Sequence, residues 1–339
     1  MSRPLRIAAI LTLLVILASV AALQIPAAKH EQNIWHPPIE RSLGDEPITP
    51  IPLELGLDQG TVALGKKLFS DARLSGDDTI SCAHCHDLAR GGADGLPRSV
   101  GIKGAVGAIN APSVYNSGFN FRQFWDGRAA TLEEQIDGTL NDPAEMGSNW
   151  PDVIAKLNKD AAYRSAFSAL YSSGIQPDSV RDAIATYERS LVTPNAKFDR
   201  FLRGEKSALD GEEFAGYMLF KKLGCVTCHQ GVNVGGNLYE KLGIFDNYFG
   251  RRGNLTRADL GRYNVTHSEE NRYEFRVPSL RNVALTAPYF HDASAATLEQ
   301  AVAIMARYQL GVTLKGDEIE RIVKFLNTLT GVYPGAQEQ

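Results

Sequence analysis

The chain has 339 residues, 44% of them hydrophobic and 22% charged, with a formal net charge of −4. This is the composition of a soluble globular protein with room for two domains of ordinary size. The mild acidity excludes a nucleic-acid-binding role built on positive charge.

At the N-terminus, Arg3 and Arg6 precede an uncharged run over residues 7–28, rich in Leu, Ile, Val and Ala. A basic n-region before an apolar stretch predicts a signal sequence, with Ser19-Val20-Ala21 or Val20-Ala21-Ala22 as the cleavage site. The alternative is a single N-terminal membrane tether, although Gln24 and Pro26 weaken the end of the run as a span. Either way residues 1–28 form a leader and the folded part is exported, which predicts a periplasmic protein.

Beyond the leader the pattern is helical. A helix predicted over 60–69 leads to Cys82-Ala83-His84-Cys85-His86. A long Gly-rich loop over 91–118 follows. A helix over 131–140 opens with Thr131 and Glu134 in capping-box spacing. Over 179–192, Val180, Ile184, Tyr187 and Leu191 recur at helical spacing until Pro194 stops them. A helix over 210–223 leads to Cys225-Val226-Thr227-Cys228-His229, and a second Gly-rich loop runs over 231–253. Helices over 297–310 and 317–329 close the chain. Strand alternation is confined to short pieces near 273–277.

The two Cys-x-x-Cys-His strings use all four cysteines. One such string would also serve zinc or a redox pair. Two of them, with no thiol left over, point to two covalently attached c-type haems. In each, the paired thiols take the porphyrin vinyl groups and the histidine that follows offers its imidazole to iron. Exported proteins often carry disulfides; here none is expected. Helix, haem and helix in that order, twice over, predicts a mainly α protein of two cytochrome-c-like domains, 29–196 and 197–339. Long loops are acceptable because a macrocycle fills much of each core.

What lies opposite each proximal histidine decides function. An iron with two protein ligands carries electrons, whereas an open one can work on peroxide or dioxygen. After His229 the candidates are His267, His291 and Met305. Between His86 and His229 there is no histidine, only Met146 and the lysines Lys103, Lys156 and Lys159.

Several strings make the chain resemble the bacterial dihaem cytochrome c peroxidases. They are Gly95-Leu96-Pro97, Asn110-Ala111-Pro112-Ser113-Val114, Phe124-Trp125-Asp126-Gly127-Arg128, Glu145-Met146, Val277-Pro278-Ser279-Leu280-Arg281-Asn282-Val283 and Ala287-Pro288-Tyr289-Phe290-His291-Asp292. The resemblance implies a peroxidatic haem on Cys82, Cys85 and His86. It implies an electron-accepting haem on Cys225, Cys228 and His229, with Met305 as its sixth ligand. It further implies Glu145 as proton-transferring carboxylate, Gln135 as a distal amide, and Trp125 as the indole between the haems. One calcium ion would be bound by oxygens of Asn110, Thr286 and Pro288. The implied reaction is reduction of hydrogen peroxide to water with electrons from a small cytochrome c or a copper protein (a cupredoxin). A homodimer is common in the family.

One departure matters. Where many members carry a loop histidine that blocks the peroxidatic iron, this chain has Ile102 in Ser99-Val100-Gly101-Ile102-Lys103-Gly104. Isoleucine cannot bind iron, so the first haem is expected to be open even when oxidised. Lys103 would ligate only if burial stripped its proton. Two other readings are a dihaem electron carrier and a dihaem oxidase that matures a protein-derived quinone. Saturated irons would mark the first; a tyrosine in place of Met305 would mark the second. His84 and His267 read as exposed, and His291 as structural.

Overall fold

A computed structural model describes residues 35–38, 40 and 44–333. The leader expected over 1–28 lies outside the described residues. The described residues from Pro37 to Tyr333 form one compact unit. Its helices, in chain order, are α1 (Gln59–Phe69), α2 (Cys82–Cys85), α3 (Leu132–Asn141), α4 (Trp150–Asn158), α5 (Ala161–Leu170), α6 (Pro177–Ser190), α7 (Lys197–Leu202), α8 (Gly211–Lys222), α9 (Tyr248–Arg252), α10 (Tyr263–Thr266), α11 (Leu298–Leu310) and α12 (Gly316–Asn327). The strands are β1 (Tyr239–Lys241) and β2 (Glu274–Arg276), paired antiparallel with Tyr239 opposite Arg276. The mainly α class is as expected. β2 falls where the sequence showed its one trace of strand, and its partner comes out of the second Gly-rich loop.

The predicted helix starts are held by side-chain caps. Asp58 accepts from the Thr61 amide at the start of α1, and Thr131 from the Glu134 amide at the start of α3. The Thr131 box is half formed, because the Glu134 carboxylate accepts from the Ala130 amide instead of the Thr131 amide. The boxes Asp210/Glu213 and Thr297/Gln300 close fully. Six of the twelve described helices escaped the sequence reading: the short α2, α9 and α10, and α4, α5 and α7. α4 starts at Trp150-Pro151, and its proline reads as a breaker although it sits in the first turn, where no amide is needed. α5 buries only Tyr163 and Phe167, and α7 spans just six residues, so neither carries a long apolar stripe.

The apolar interior falls into two main clusters. One gathers Leu64, Leu68, Phe69, Leu140, Phe167 and Ile184; the other gathers Phe198, Tyr217, Phe220, Val302, Phe325 and Leu326. Each is framed by two helices that cross at a glycine. A Cβ on Gly65 of α1 would lie 1.9 Å from the Ala183 carbonyl oxygen of α6. A Cβ on Gly216 of α8 would lie 2.0 Å from the Arg321 carbonyl oxygen of α12. Only hydrogen in place of a side chain permits either approach.

The two ends of the described stretch cross over. Ile48 is fully buried in the second cluster, and the Ile51 amide donates to Asp199. Tyr333, at the far end, packs on the first cluster against Tyr115. Buried amides stitch the two clusters together. Asn116 Nδ2 and Asn282 Nδ2 both donate to Thr193 Oγ1 (2.9 and 3.0 Å), and Asn233 Nδ2 donates to Asn120 Oδ1 (2.8 Å). The bonds satisfy groups whose burial would otherwise be costly. They also fix the segment that carries Trp125 against the segment that carries His291.

Gly65→Ala and Gly216→Ala test the crossings. Alanine gains about 1 kcal/mol of helix propensity over glycine. A methyl group driven to 2 Å from a backbone oxygen costs more than that gain, because two packed helices must separate. Each variant is expected to lose roughly 1–3 kcal/mol of unfolding free energy, read as a lower guanidinium midpoint.

Candidate active site

Each Cys-x-x-Cys-His string forms a single tight turn, so both thiols and the following imidazole face one place. His86 N and His229 N close these turns on the Cys82 and Cys225 carbonyls, each at 3.0 Å. Burial pushes all four thiol pKa values up, Cys85 and Cys225 to about 11. A redox thiolate needs the opposite shift. Neutral thiols beside a half-buried histidine fit a site for covalent attachment.

The imidazoles are pre-set for iron. His86 Nδ1 lies 3.2 Å from the Gly92 carbonyl oxygen, and His229 Nδ1 lies 3.3 Å from that of Val234. A carbonyl can only accept, so Nδ1 carries the proton and the Nε2 lone pair is free. Burial lowers both pKa values, that of His229 to about 4, so both rings are neutral at neutral pH.

A cavity of about 550 Å³ opens beside His229. Cys225, Cys228 and Met305 line it with His229, among mainly apolar side chains that include Phe220, Leu298 and Leu326. Met305 lies on α11, partly buried. Trp125 lines the same cavity and donates its indole N–H to the Asn110 carbonyl at 2.9 Å. Asn110, Thr286 and Pro288 are also on its wall. His291 is buried, with Nε2 2.7 Å from Asp259 and its ring edge-on to Trp125 at 6.2 Å. Asp259, His291 and Asp292 cluster closely enough to suggest a metal, but the Arg252 guanidinium already bridges the two carboxylates.

In the first half, Glu145 carries a pKa raised chiefly by burial. The Thr139 hydroxyl bonds its carboxylate and lowers it, Asp142 raises it, and Arg128 lowers it. Gln135 Nε2 donates to the same Thr139 oxygen at 2.9 Å. Amide, hydroxyl and carboxylate therefore form a chain, and the Glu145 charge is felt at Cys85. Thr139 was not found from sequence, because a lone threonine on a helix leaves no signal.

Ile102 is 7% exposed, with its side chain against Gly147. Its amide donates to the Glu145 carbonyl at 2.9 Å, and Gly101 lies against the Ala144 and Glu145 carbonyls. Met146 is buried in the first cluster. Lys103 and Lys159 are exposed, and Lys156 Nζ is held by Arg73 O, Ser75 O and Asp78. His84 and His267 are exposed.

One charged side chain stands out. Arg276, on β2 beside Trp125, is 3% exposed and lines the 550 Å³ cavity. Sequence reading missed it, since an arginine in a strand-like stretch normally points to water.

Comparison with known proteins agrees with these features. A family model described as di-haem cytochrome c peroxidase matches residues 59–207. The chain is 49% identical over 290 residues to cytochrome c peroxidase Ccp of Escherichia coli, covering 85% of this chain and 62% of that protein. It therefore spans less than two thirds of that relative. It is 46% identical to cytochrome c551 peroxidase of Nitrosomonas europaea, covering 86% of each. A crystal structure of a MauG-like protein associated with microbial copper homeostasis superposes with a TM-score of 0.72 at 28% identity. That match covers 88% of this chain and 96% of the other. Among the described residues, no helix is long and apolar enough to cross a membrane.

Proposed function

The chain belongs to the di-haem cytochrome c peroxidase family, and on that basis we propose that it reduces hydrogen peroxide to water with electrons delivered singly by a small cytochrome c or copper protein. Family membership implies two haem c groups. The haem supplies the redox chemistry that divides the O–O bond, while the protein sets ligation, access and proton delivery. Two electrons and two protons convert each peroxide to two waters.

In this reading residues 29–196 serve the first haem, bound through Cys82, Cys85 and His86. Residues 197–339 serve the second, bound through Cys225, Cys228 and His229 with Met305 as sixth ligand. A thioether favours the reduced iron and suits an electron store. Trp125 lies on the path between the two. Oxygens of Asn110, Thr286 and Pro288 hold a calcium ion near the same seam, with carbonyl groups suited to a hard cation. Export to the periplasm follows from the leader.

The chain Gln135–Thr139–Glu145 is the observation that carries the peroxidase reading over a simple electron carrier. A carrier has no use for a buried carboxyl whose pKa is raised by its burial. Glu145 takes a proton from one peroxide oxygen and returns it to the other. Gln135 offers an amide hydrogen to the same substrate. Thr139 steadies the carboxylate and holds its pKa from rising further. Ile102 brings no ligand, and its docking against Glu145 supports an open first iron without any prior loop movement.

Replacing Glu145 by Gln is expected to lower turnover about 10²- to 10⁴-fold while both haems stay bound, measured by steady-state peroxide reduction and a pyridine haemochrome count. Retained turnover would remove Glu145 from the mechanism. Thr139→Val deletes a bond that lowers the Glu145 pKa, so that pKa rises. Because Glu145 must first act as base, the acid limb of the activity profile is expected to move to higher pH. Electron paramagnetic resonance of the fully oxidised protein is expected to show a high-spin signal from the first haem beside a low-spin one from the second. Two low-spin signals would rule out the open site.

A further inference from the structure

Three charged groups other than imidazoles line the cavity beside His229: Glu240, Arg276 and Arg281. Arg281 is already neutralised. Its guanidinium meets Asp199 at 2.7 Å, both fully buried, and it donates to the Val232 and Thr49 carbonyls. Arg276 has no such partner. Nε donates to the Phe124 carbonyl at 3.2 Å and Nη1 to Asn120 Oδ1 at 3.3 Å, both neutral acceptors. Among the described residues no carboxylate pairs with it. Burial pushes its pKa down to about 10, the direction of a desolvated cation without an anion.

A buried, unpaired charge costs several kcal/mol, so a native fold keeps one where something else neutralises it. Haem c enters an apolar cavity with two propionate carboxylates, which need cationic partners in turn. Arg276 has N–H groups to spare, since a guanidinium carries five and the two neutral bonds use two.

We infer that Arg276 is the propionate anchor of the second haem, pairing with one carboxylate and holding that edge of the macrocycle against Trp125. The inference rests on His229 carrying that haem, as proposed above. The location follows from the backbone. The Arg276 amide donates to the Trp125 carbonyl at 2.8 Å, so the guanidinium and the indole belong to one hydrogen-bonded unit. A fixed cation at the haem edge also favours the reduced iron. Arg276 is thus a positioning residue that adds to the effect of Met305 on the potential.

The test uses the full chain with both haems attached. Potentiometric titration of Arg276→Gln, followed in the visible spectrum, is expected to show the reduced-to-oxidised ratio of the second haem falling about tenfold at fixed poise, equivalent to about 59 mV for one electron. Arg276→Lys, which keeps the charge, is expected to recover most of that loss. A Gln variant with wild-type potential, or a Lys variant as low as Gln, overturns the inference. A crystal structure of the wild-type holoprotein decides independently of whether the variants fold. A guanidinium nitrogen is expected about 2.7–2.9 Å from a propionate oxygen, and both propionates turned away from Arg276 overturns it. If the wild-type protein lacks the thioether-to-iron charge-transfer band, the ligation of the second haem falls first and the anchor with it. If the band is present and the Gln variant leaves the potential unmoved, only the anchor falls.

Discussion

Two N–H···O=C bonds set the geometry on which the rest of the molecule depends, His86 Nδ1 to Gly92 and His229 Nδ1 to Val234. Each fixes a tautomer, a ring plane and the direction of the remaining lone pair. The carbonyls must come close, and the loops that bring them are bent to do so. Gly92 has φ 77°, and a Cβ there would press on Ser113 and Tyr115. Val234 is fully buried at φ 48°, an unfavourable place for a β-branched residue, and Gly235 after it packs against the Pro278 carbonyl. Strain of this kind persists where the surroundings over-determine the backbone. Here it is spent on aiming a carbonyl at a histidine.

Once the rings are aimed, the halves diverge through what stands around them. Near the first, the Glu145 charge, in its chain with Thr139 and Gln135, reaches Cys85, and the docked loop presents an isoleucine. Around the second, the polar groups are scarce, and a thioether and an uncompensated guanidinium face the cavity. The first environment suits proton transfer and, in the proposed reading, an open iron position. The second lowers the cost of holding an electron. Trp125 joins them mechanically, with its indole on Asn110 and its carbonyl on Arg276, so neither half can shift without disturbing it.

Much of this was legible in the sequence where the signal is local. The Cys-x-x-Cys-His strings, the caps Thr131 and Thr297, and the helical run ending before Pro194 all depend on residues within a turn or two. The glycine crossings at Gly65 and Gly216 were not legible, because the partner carbonyls lie more than a hundred positions away along the chain in each case. The role of Thr139 was hidden for another reason. Its hydroxyl matters only because Gln135 lies one turn before it and Glu145 beyond the helix end. Family resemblance supplied Glu145, Gln135 and Trp125, and geometry supplied the link between the first two.

Arg276 shows why composition alone would have misled. An arginine in an acidic chain is ordinarily a solvated surface group. Here its backbone is committed to the ladder opposite Tyr239, which turns the side chain inward beside the mainly apolar cavity next to His229. Arg281 occupies the same wall and differs only in having Asp199. Two buried guanidinium groups, one neutralised by the protein and one not, divide the work between them: the first holds the fold together, and the second is left for a carboxylate that arrives with the cofactor.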